Sequence, residues 1–388
     1  MSGTDLATAR GASAEPAAPP ADATRRAAPV DAPRPVTPDP AGLDEAPTTS
    51  PDVALHRFLR AGQRRAVDRH DAELWAALAR AADGGKRLRP ALVMSAHEAF
   101  GGTDPEAAAQ VAAAMELLHT AFVVHDDLID GDDVRRGRPN VAGTFTRQAR
   151  RAGATPDRAE RYGAAAAVLA GDLALAGAVR TVALCGAPPA VVRRLLDLVD
   201  HAVRVSAAGE LADVRHGLGP DPASLAEALT TAERKTSVYS FALPLQAGAV
   251  LAHAPDAAVA ALGELGRLLG VAFQLRDDLD GVFGTPAETG KSVLSDLREG
   301  KCTPLVAHAS TTGVWPELRP YLGDERIDDA GAARVRELLT ACGARAFVEN
   351  LAAGHCRAAR RLADELGLAP GLRAHVHALT DSLTRRAA

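Results

Sequence analysis

Two acidic clusters are the residues of this sequence best placed to do chemistry. The first, HDDLID at 125–130, ends an apolar run and carries Asp126, Asp127 and Asp130. Asp126 and Asp130 are spaced i,i+4, so in a helix they project from one face about one turn apart. Carboxylates this close repel one another unless a cation lies between them. Oxygen ligands at this density suit Mg²⁺, which binds through one or two carboxylates together with the phosphates of a substrate.

The second cluster, QLRDDLDG at 274–281, repeats this arrangement at the end of another apolar run. Asp277 and Asp278 are its first carboxylates, and Asp280 follows three residues after Asp277, close enough to share its face. Acidic side chains at the C-terminal end of a helix oppose the helix dipole and reduce stability there. Because two helices of this sequence carry such unfavourable acidic ends, we interpret the two clusters as a metal-dependent site and not as solvated helix ends.

Basic residues accompany the acidic ones in matching number. They follow a glycine pair in GGKRLRP at 84–90, follow the first acidic cluster in RRGR at 135–138, and recur later as Lys235, Lys291 and Lys301. Acids and bases with no nucleophile and no Ser-His-Asp order indicate recognition of metal-clamped diphosphates and not acyl transfer.

The elements that must position these residues are helices. From about residue 51 onward, apolar residues recur every three or four positions, and breaks fall at glycine or proline clusters such as 101–102, 188–189 and 284–290. Alanine and leucine are abundant and aromatic residues make up only 3% of the chain, which favours helix over sheet. We therefore predict an all-α fold of ten or more helices in one large domain, residues 51–388.

Residues 1–50 differ from the rest of the chain, since they hold nine of the 25 prolines and no aromatic residue. Such a segment cannot bury enough apolar area to offset the entropy of ordering, so we predict a disordered, Pro/Ala-rich tail. The tail is either a passive leader or a docking segment for a partner or compartment that the sequence does not name.

Composition excludes several classes of function. The net charge of −5 is spread along 388 residues without a strongly basic domain, so we expect no nucleic-acid partner. Four cysteines without a CxxC pattern indicate a reducing compartment, and neither a disulfide framework nor a zinc site. We expect that no apolar run reaches the ~18–20 residues that span a bilayer, and that the N-terminus is not a secretory signal. We expect a soluble, cytoplasmic protein with no membrane span.

Five motifs together resemble a known family. GGKRLRP, DDLID followed by RRG, KTSVYSF, FQLRDDL, and TGK followed by DLREGK occur in this order between about residues 80 and 310. Their order and spacing resemble the all-trans isoprenyl diphosphate synthases, the polyprenyl synthetase family, and within it the short-chain farnesyl and geranylgeranyl diphosphate synthases. The resemblance implies an all-α bundle around a central cavity and a homodimer. It also implies a prenyltransferase that condenses isopentenyl diphosphate with an allylic diphosphate, using about three Mg²⁺ ions, with Mn²⁺ as a substitute.

The same resemblance assigns roles residue by residue. The metal-binding positions are Asp126, Asp127, Asp130, Asp277 and Asp278. The positions that resemble the isopentenyl diphosphate site are Lys86, Arg89, His119 and Arg136. The positions that resemble the allylic diphosphate site are Arg135, Lys235, Thr236, Gln274, Lys291 and Lys301, of which Lys235, Thr236 and Gln274 also have a catalytic role beside the cation. The second motif departs from the common DDxxD pattern, since its fifth position is Gly281.

Product length in this family depends on the helix that precedes the first acidic motif. Phe122 lies four residues before Asp126, about 5.4 Å or one turn deeper, and its ring should block the tunnel early. Ala121 is small and leaves some room, and Leu118 lies another turn deeper. This pattern predicts a C15 or C20 product, unless Phe122 serves only in helix packing.

Other functions stay open at this point. A class I terpene cyclase also uses aspartate-rich helices and Mg²⁺ but binds one diphosphate, and the second cationic group (Lys86, Arg89, Arg136) speaks against it. A non-catalytic regulatory subunit should have lost carboxylates from the first motif, which is intact. The segment 284–292 imitates a P-loop, but it has five residues between its glycines where the motif has four, and it follows a helix.

Overall fold

The fold is a bundle of α-helices with a single short hairpin in the part of the chain that is described. The computed structural model describes residues 47–218, 222–284 and 295–385, all of which belong to one compact unit. The all-α fold class is confirmed. The predicted tail lies outside the described residues up to residue 46, so the tail and the domain limits 51–388 stay predictions.

The elements follow one another in a simple order. The first half contains α1 (Pro51–Arg64), α2 (Arg69–Ala82), α3 (Leu88–Ala99), α4 (Pro105–Ile129), β1 (Val134–Arg135), β2 (Arg138–Pro139), α5 (Val141–Arg151), α6 (Pro156–Ala183) and α7 (Pro189–Leu218). The middle contains α8 (Leu225–Ala232), a π-helix (Glu233–Ala242), α9 (Leu243–Leu251) and α10 (Asp256–Phe283). The last part contains α11 (Ser295–Arg298), α12 (Pro304–Ala309), α13 (Trp315–Leu318), a 3₁₀ turn (Arg319–Tyr321), α14 (Asp329–Ala341), α15 (Ala344–Glu365) and α16 (Pro370–Arg385).

Helix α4 lies in the middle of the main core and sets the depth of the first acidic cluster. It starts where the Asp104 carboxylate accepts a hydrogen bond from the backbone N–H of Ala107, with Pro105 in the first turn. Its alanine-rich sequence buries side chains on nearly every face between Ala107 and Ala121. A helix that is apolar on all sides belongs in a core. The acidic residues therefore emerge from the core at its C-terminal end.

Three helices, α4, α6 and α10, are long and apolar enough to cross a membrane by length and composition alone. The expectation that no apolar run reaches this length is therefore wrong, because alanine and glycine keep these long runs inconspicuous. In the fold the three helices pack against their neighbours, and 78% of the most apolar window of α4 is buried. The corresponding figure for α6 is 44%, so α6 retains an outward apolar face.

The π-helix was not predicted, and two neighbouring helices approach its backbone closely. A Cβ atom on Gly209 of α7 would lie 2.5 Å from the backbone nitrogen of Lys235. A Cβ atom on Gly270 of α10 would lie 2.4 Å from the Cα of Ser237. The two glycines thus let α7 and α10 approach the π-helix backbone from both sides. Such wide turns inside helices are frequent at functional sites.

The β1–β2 hairpin was not predicted either. Its two-residue turn consists of Arg136 and Gly137, with φ of 52° and 70°. Both values lie in the left-handed region that tight two-residue hairpins require. The hairpin folds the chain back after α4 and returns Arg135 to the acidic end of that helix.

Candidate active site

A cavity of about 1020 Å³ opens where α4, α7, the π-helix and α10 meet. Most of the residues assigned from the sequence line it: Lys86, Arg89, His119, Phe122, Asp126, Asp130, Arg135, Arg136, Lys235, Thr236, Gln274, Asp277, Asp278 and Lys301. Lys291 lies outside the described residues. Asp127, Ala121 and Leu118 are not part of the lining.

An acidic cluster at one side of the cavity fits a divalent cation. Asp126 and Asp130 of α4 and Glu210 of α7 each place one carboxylate oxygen within 4.8 Å of the other two. The i,i+4 spacing thus brings the two aspartates together, and α7 adds the third carboxylate. Three hard oxygen donors at this separation are the ligand type that Mg²⁺ prefers.

Lys235 is the cation at the centre of this cluster. Its Nζ lies 3.0 Å from Asp126 Oδ1, 3.0 Å from a Glu210 carboxylate oxygen and 2.9 Å from Asp213 Oδ2. Burial alone would lower the pKa of Lys235, but the surrounding carboxylates outweigh burial and raise it well above its ordinary value. Lys235 therefore keeps its charge over the whole physiological range.

Lys301 occupies the other side of the cluster, with its Nζ 2.7 Å from Asp130 Oδ2 and 2.7 Å from Glu299 Oε2. Although burial opposes it, the two lysines hold the pKa of Asp126 below its ordinary value. Burial and the negative charge of Asp126 raise the pKa of Asp130. The pKa values of the two aspartates on one helix face are thus shifted in opposite directions, because each carboxylate is buried close to both like and opposite charges.

Asp127 is paired with Arg135 of the hairpin. Its Oδ1 lies 2.6 Å from Arg135 Nε, which donates a hydrogen bond to it, and 2.5 Å from a terminal nitrogen of the same guanidinium. That terminal nitrogen also lies 3.6 Å from Asp126 Oδ2. Burial would lower the pKa of Arg135, but the bond to Asp127 and the nearby acids raise it. The structure therefore places Asp127 as the anchor of Arg135, and does not bring it to the carboxylates that could share a metal ion.

Three predicted residues form a chain of hydrogen bonds across the cavity. The Thr236 hydroxyl donates to Gln274 Oε1 at 2.5 Å, and Gln274 Nε2 donates to Asp278 Oδ1 at 2.8 Å. Asp278 is buried on α10. The second acidic cluster thus fixes the orientation of the Gln274 amide and, through it, the Thr236 hydroxyl.

The other two acids of the second cluster differ in environment. Asp277 is exposed on the cavity wall. Asp280 accepts a hydrogen bond from Arg276 Nε at 2.8 Å, four residues earlier on α10. The fifth position of the motif is Gly281, and the carboxylate next to that position, Asp280, is held by Arg276.

A second group of cations lines the cavity between α2, α3 and the hairpin. Arg89 donates to Ser240 Oγ at 2.7 Å, and its guanidinium carbon lies 5.1 Å from the centre of the Tyr239 ring. Arg136 donates to the backbone carbonyl of Asp83 at 2.9 Å. Lys86 is exposed. These cations are distinct from the lysines of the acidic cluster.

His119 contributes a neutral ring to this second group. Burial, reinforced by neighbouring arginines, holds the pKa of His119 well below its ordinary value. Its ring stacks on Tyr239 at 6.1 Å between centroids. Its Nδ1 is buried and has no hydrogen-bond partner among the described residues, so it is available to a bound molecule.

The predicted chain-length residues divide into two sets. Phe122 meets Tyr239 edge-to-face, with 4.8 Å between ring centroids, and both rings line the cavity. Ala121 and Leu118 are buried in the main core, with 0% and 1% exposure. The two rings are therefore the bulky groups at this part of the cavity wall.

Sequence reasoning missed three residues of the site: Glu210, Asp213 and Tyr239. Glu210 and Asp213 are spaced i,i+3 on α7, which is the same one-face spacing that revealed the first cluster. Applying that rule to GELAD would have found them. Tyr239 stands inside KTSVYSF, but no spacing rule indicates that it contacts Arg89, His119 and Phe122.

Comparison with known proteins identifies the family. A family model described as polyprenyl synthetase matches residues 72–359. A (2E,6E)-farnesyl diphosphate synthase from Mycobacterium tuberculosis is 38% identical over 279 residues, which are 70% of this chain and 71% of the relative. A geranylgeranyl diphosphate synthase from Methanosarcina mazei is 33% identical over 283 residues, which are 73% of this chain and 80% of the relative.

A solved structure agrees with the sequence relatives. The crystal structure of a geranylgeranyl pyrophosphate synthase from Corynebacterium glutamicum, complexed with isoprenyl diphosphate and magnesium, is similar to this chain with a TM-score of 0.80 and 29% identity. The similarity covers 88% of this chain and 100% of that one. The chain belongs to the polyprenyl synthetase family and is a trans-prenyltransferase.

Proposed function

We propose that this protein is a Mg²⁺-dependent short-chain prenyl diphosphate synthase that condenses isopentenyl diphosphate with an allylic diphosphate. The observation that carries the proposal is the charge arrangement of one cavity. A carboxylate cluster with two lysines lies at one side, and a separate group of cations lines another part, where the one carboxylate of the described lining, Glu116, is paired with Arg87. Two diphosphates need two such cationic regions.

The allylic diphosphate would bind beside the acidic cluster. Asp126 and Asp130, together with Asp277 across the cavity, would hold Mg²⁺, which supplies Lewis-acid stabilisation of a departing diphosphate when it is bound. Lys235 and Lys301 would place their charges on the diphosphate oxygens as the allylic C1–O bond breaks. Fixed cations at a developing anion lower a barrier most effectively in a site that excludes water.

The new carbon–carbon bond would form between the two regions. Lys86, Arg89 and Arg136 would hold isopentenyl diphosphate so that its double bond attacks C1 of the allylic cation. The Thr236 hydroxyl and Gln274 amide, fixed by Asp278, would present their dipoles to that cation. The proton lost from the new unit would pass to the released diphosphate, since no side-chain base is required.

A C15 or C20 product is the finer part of the proposal. The rings of Phe122 and Tyr239 meet 4.8 Å apart at the cavity wall, where they would stop the growing chain. The two relatives compared above are named farnesyl and geranylgeranyl diphosphate synthase, and these names correspond to C15 and C20 products.

We also propose a homodimer that works in the cytoplasm. The outward face of α6 exposes Tyr162, Val168, Leu169 and Val179, an apolar row that a second copy would cover. Four free cysteines suit a reducing compartment. Light scattering should give twice the chain mass, and Leu169→Glu should give the monomer; an unchanged mass for this variant would exclude that face.

Metal removal tests the proposed reaction and separates it from the alternatives. Isopentenyl diphosphate and geranyl diphosphate should condense with Mg²⁺, stop with EDTA, and resume when Mg²⁺ or Mn²⁺ is added in excess. A terpene cyclase would instead consume geranyl diphosphate alone and release a hydrocarbon. A regulatory subunit would consume neither substrate, and either result would refute the proposal.

A further inference from the structure

Lys86 lies in the loop that joins α2 to α3, and the residues on both sides of it have an unusual backbone conformation. Gly84, Gly85 and Arg87 all have positive φ, of 79°, 84° and 49°. Glycine adopts this region freely, but Arg87 pays a steric penalty there. A residue persists in such a conformation only where its surroundings fix it.

The surroundings that fix Arg87 are three protein groups. Its Nε lies 2.8 Å from Asp52 Oδ1, and one terminal nitrogen lies 3.0 Å from Glu116 Oε1. The same nitrogen donates to the carbonyl of Ala82 at 3.0 Å. One guanidinium therefore ties the start of α1, the end of α2 and the middle of α4 to the loop.

Of the two ion pairs of Arg87, the one with Glu116 contributes more to holding the loop. The Glu116 side chain is 8% exposed, whereas that of Asp52 is 57% exposed. A buried carboxylate needs a partner, because an isolated charge is strongly disfavoured away from water. An exposed ion pair contributes little. Glu116 therefore holds Arg87, and Arg87 in turn neutralises Glu116.

The network around Arg87 shares the cavity lining with the second group of cations. Glu116 is one helical turn before His119 on α4, and both line the cavity with Lys86 and Arg89. Arg87 and Leu88 stand between those two cations in the chain. Arg87 also lines the cavity, but its hydrogen bonds go to the protein groups Ala82 and Glu116.

We propose that Arg87 is a positioning residue for the isopentenyl diphosphate end of the cavity. Its ion pair with Glu116 locks the left-handed turn, so that Lys86 and Arg89 are presented to one diphosphate before it binds. The proposal rests on the proposed function, because it assumes that this end takes isopentenyl diphosphate. The allylic end, built from α4, α7 and the π-helix, should not depend on Arg87.

Steady-state kinetics with each substrate varied separately test this role. Arg87→Met should raise KM for isopentenyl diphosphate at least tenfold and leave KM for the allylic diphosphate within twofold. Arg87→Lys should restore part of the loss, since an ammonium can still reach Glu116. Arg80→Met, which removes the same charge from an exposed site on α2, should behave as the parent protein.

Direct binding gives a second readout that is independent of turnover. Calorimetric titration with isopentenyl diphosphate alone should show weaker binding to Arg87→Met than to Arg80→Met. Equal losses for both substrates, or unchanged binding of isopentenyl diphosphate, would overturn the positioning role. If Arg87→Met does not fold, Glu116→Gln and Arg87→Lys must still shift isopentenyl diphosphate selectively, or the role is refuted. Failure of the proposed function is distinguishable, because the parent protein would then show no condensation.

Discussion

Replacing Phe122 with alanine should lengthen the product by one isoprene unit. The Phe122 ring meets Tyr239 with 4.8 Å between centroids, and Leu118, which is buried in the core, lies one turn deeper on α4. One turn of helix is about 5.4 Å. One extended isoprene unit spans about 5 Å, from four carbon–carbon bonds of roughly 1.5 Å. Removing the ring therefore opens about one helical turn of length along α4, which is room for one isoprene unit.

The assay is chromatographic sizing of the dephosphorylated products. The variant should shift the main product from Cn to Cn+5, even if the lost packing lowers stability by about 2–4 kcal/mol, because product length does not depend on the amount of folded enzyme. Phe145→Ala is the matched control, since Phe145 is a buried phenylalanine that meets Tyr162 at 5.5 Å and does not line the cavity. An unchanged product from Phe122→Ala would show that the ring serves only in packing.

Three further predictions concern the metal cluster, a buried histidine and the π-helix. Asp126→Asn should reduce turnover about a thousandfold or more with the circular-dichroism spectrum intact, because several kcal/mol of charge stabilisation is lost; near-normal turnover would contradict the metal assignment. The pKa of His119 is depressed in the fold, so the unfolded chain takes up its proton first and stability should fall as pH drops below about 6.5, by up to about 1.4 kcal/mol per pH unit. Urea titrations at several pH values should show that the free energy of unfolding of His119→Gln falls less steeply as the pH drops than that of the parent protein. An equal fall in both proteins would exclude His119 as a cause of this pH dependence. Gly209→Ala should reduce stability by about 1–3 kcal/mol and impair turnover, because its Cβ would lie 2.5 Å from the Lys235 nitrogen, whereas Gly354→Ala, with nothing closer than 3.9 Å, should be neutral or stabilising.

The sequence was sufficient for the fold class, and most of the site residues assigned from it line the cavity. Helical periodicity placed Asp126 and Asp130 on one face, and the structure brings their carboxylates together. Periodicity could not distinguish Asp127 from its neighbours by role. That distinction depends on Arg135, which a hairpin brings back to α4.

Residues contributed by distant elements were the ones that sequence reasoning missed. The i,i+3 spacing places Glu210 and Asp213 on one face of α7, but the close approach of α7 to the π-helix at Gly209, beside the cluster, is a tertiary contact with no local signal. The π-helix backbone is approached closely at glycines of two other helices, Gly209 and Gly270. Local patterns predict which residues share a face, and packing decides which faces meet.

The most direct test of the proposed reaction is a product assay with the purified protein. Mg²⁺ and isopentenyl diphosphate would be incubated with the C5, C10 or C15 allylic primer, and the dephosphorylated alcohols would be sized by chromatography. The proposed function predicts a single all-trans C15 or C20 alcohol whose formation requires both substrates. Absence of any condensed product with all three primers would contradict it.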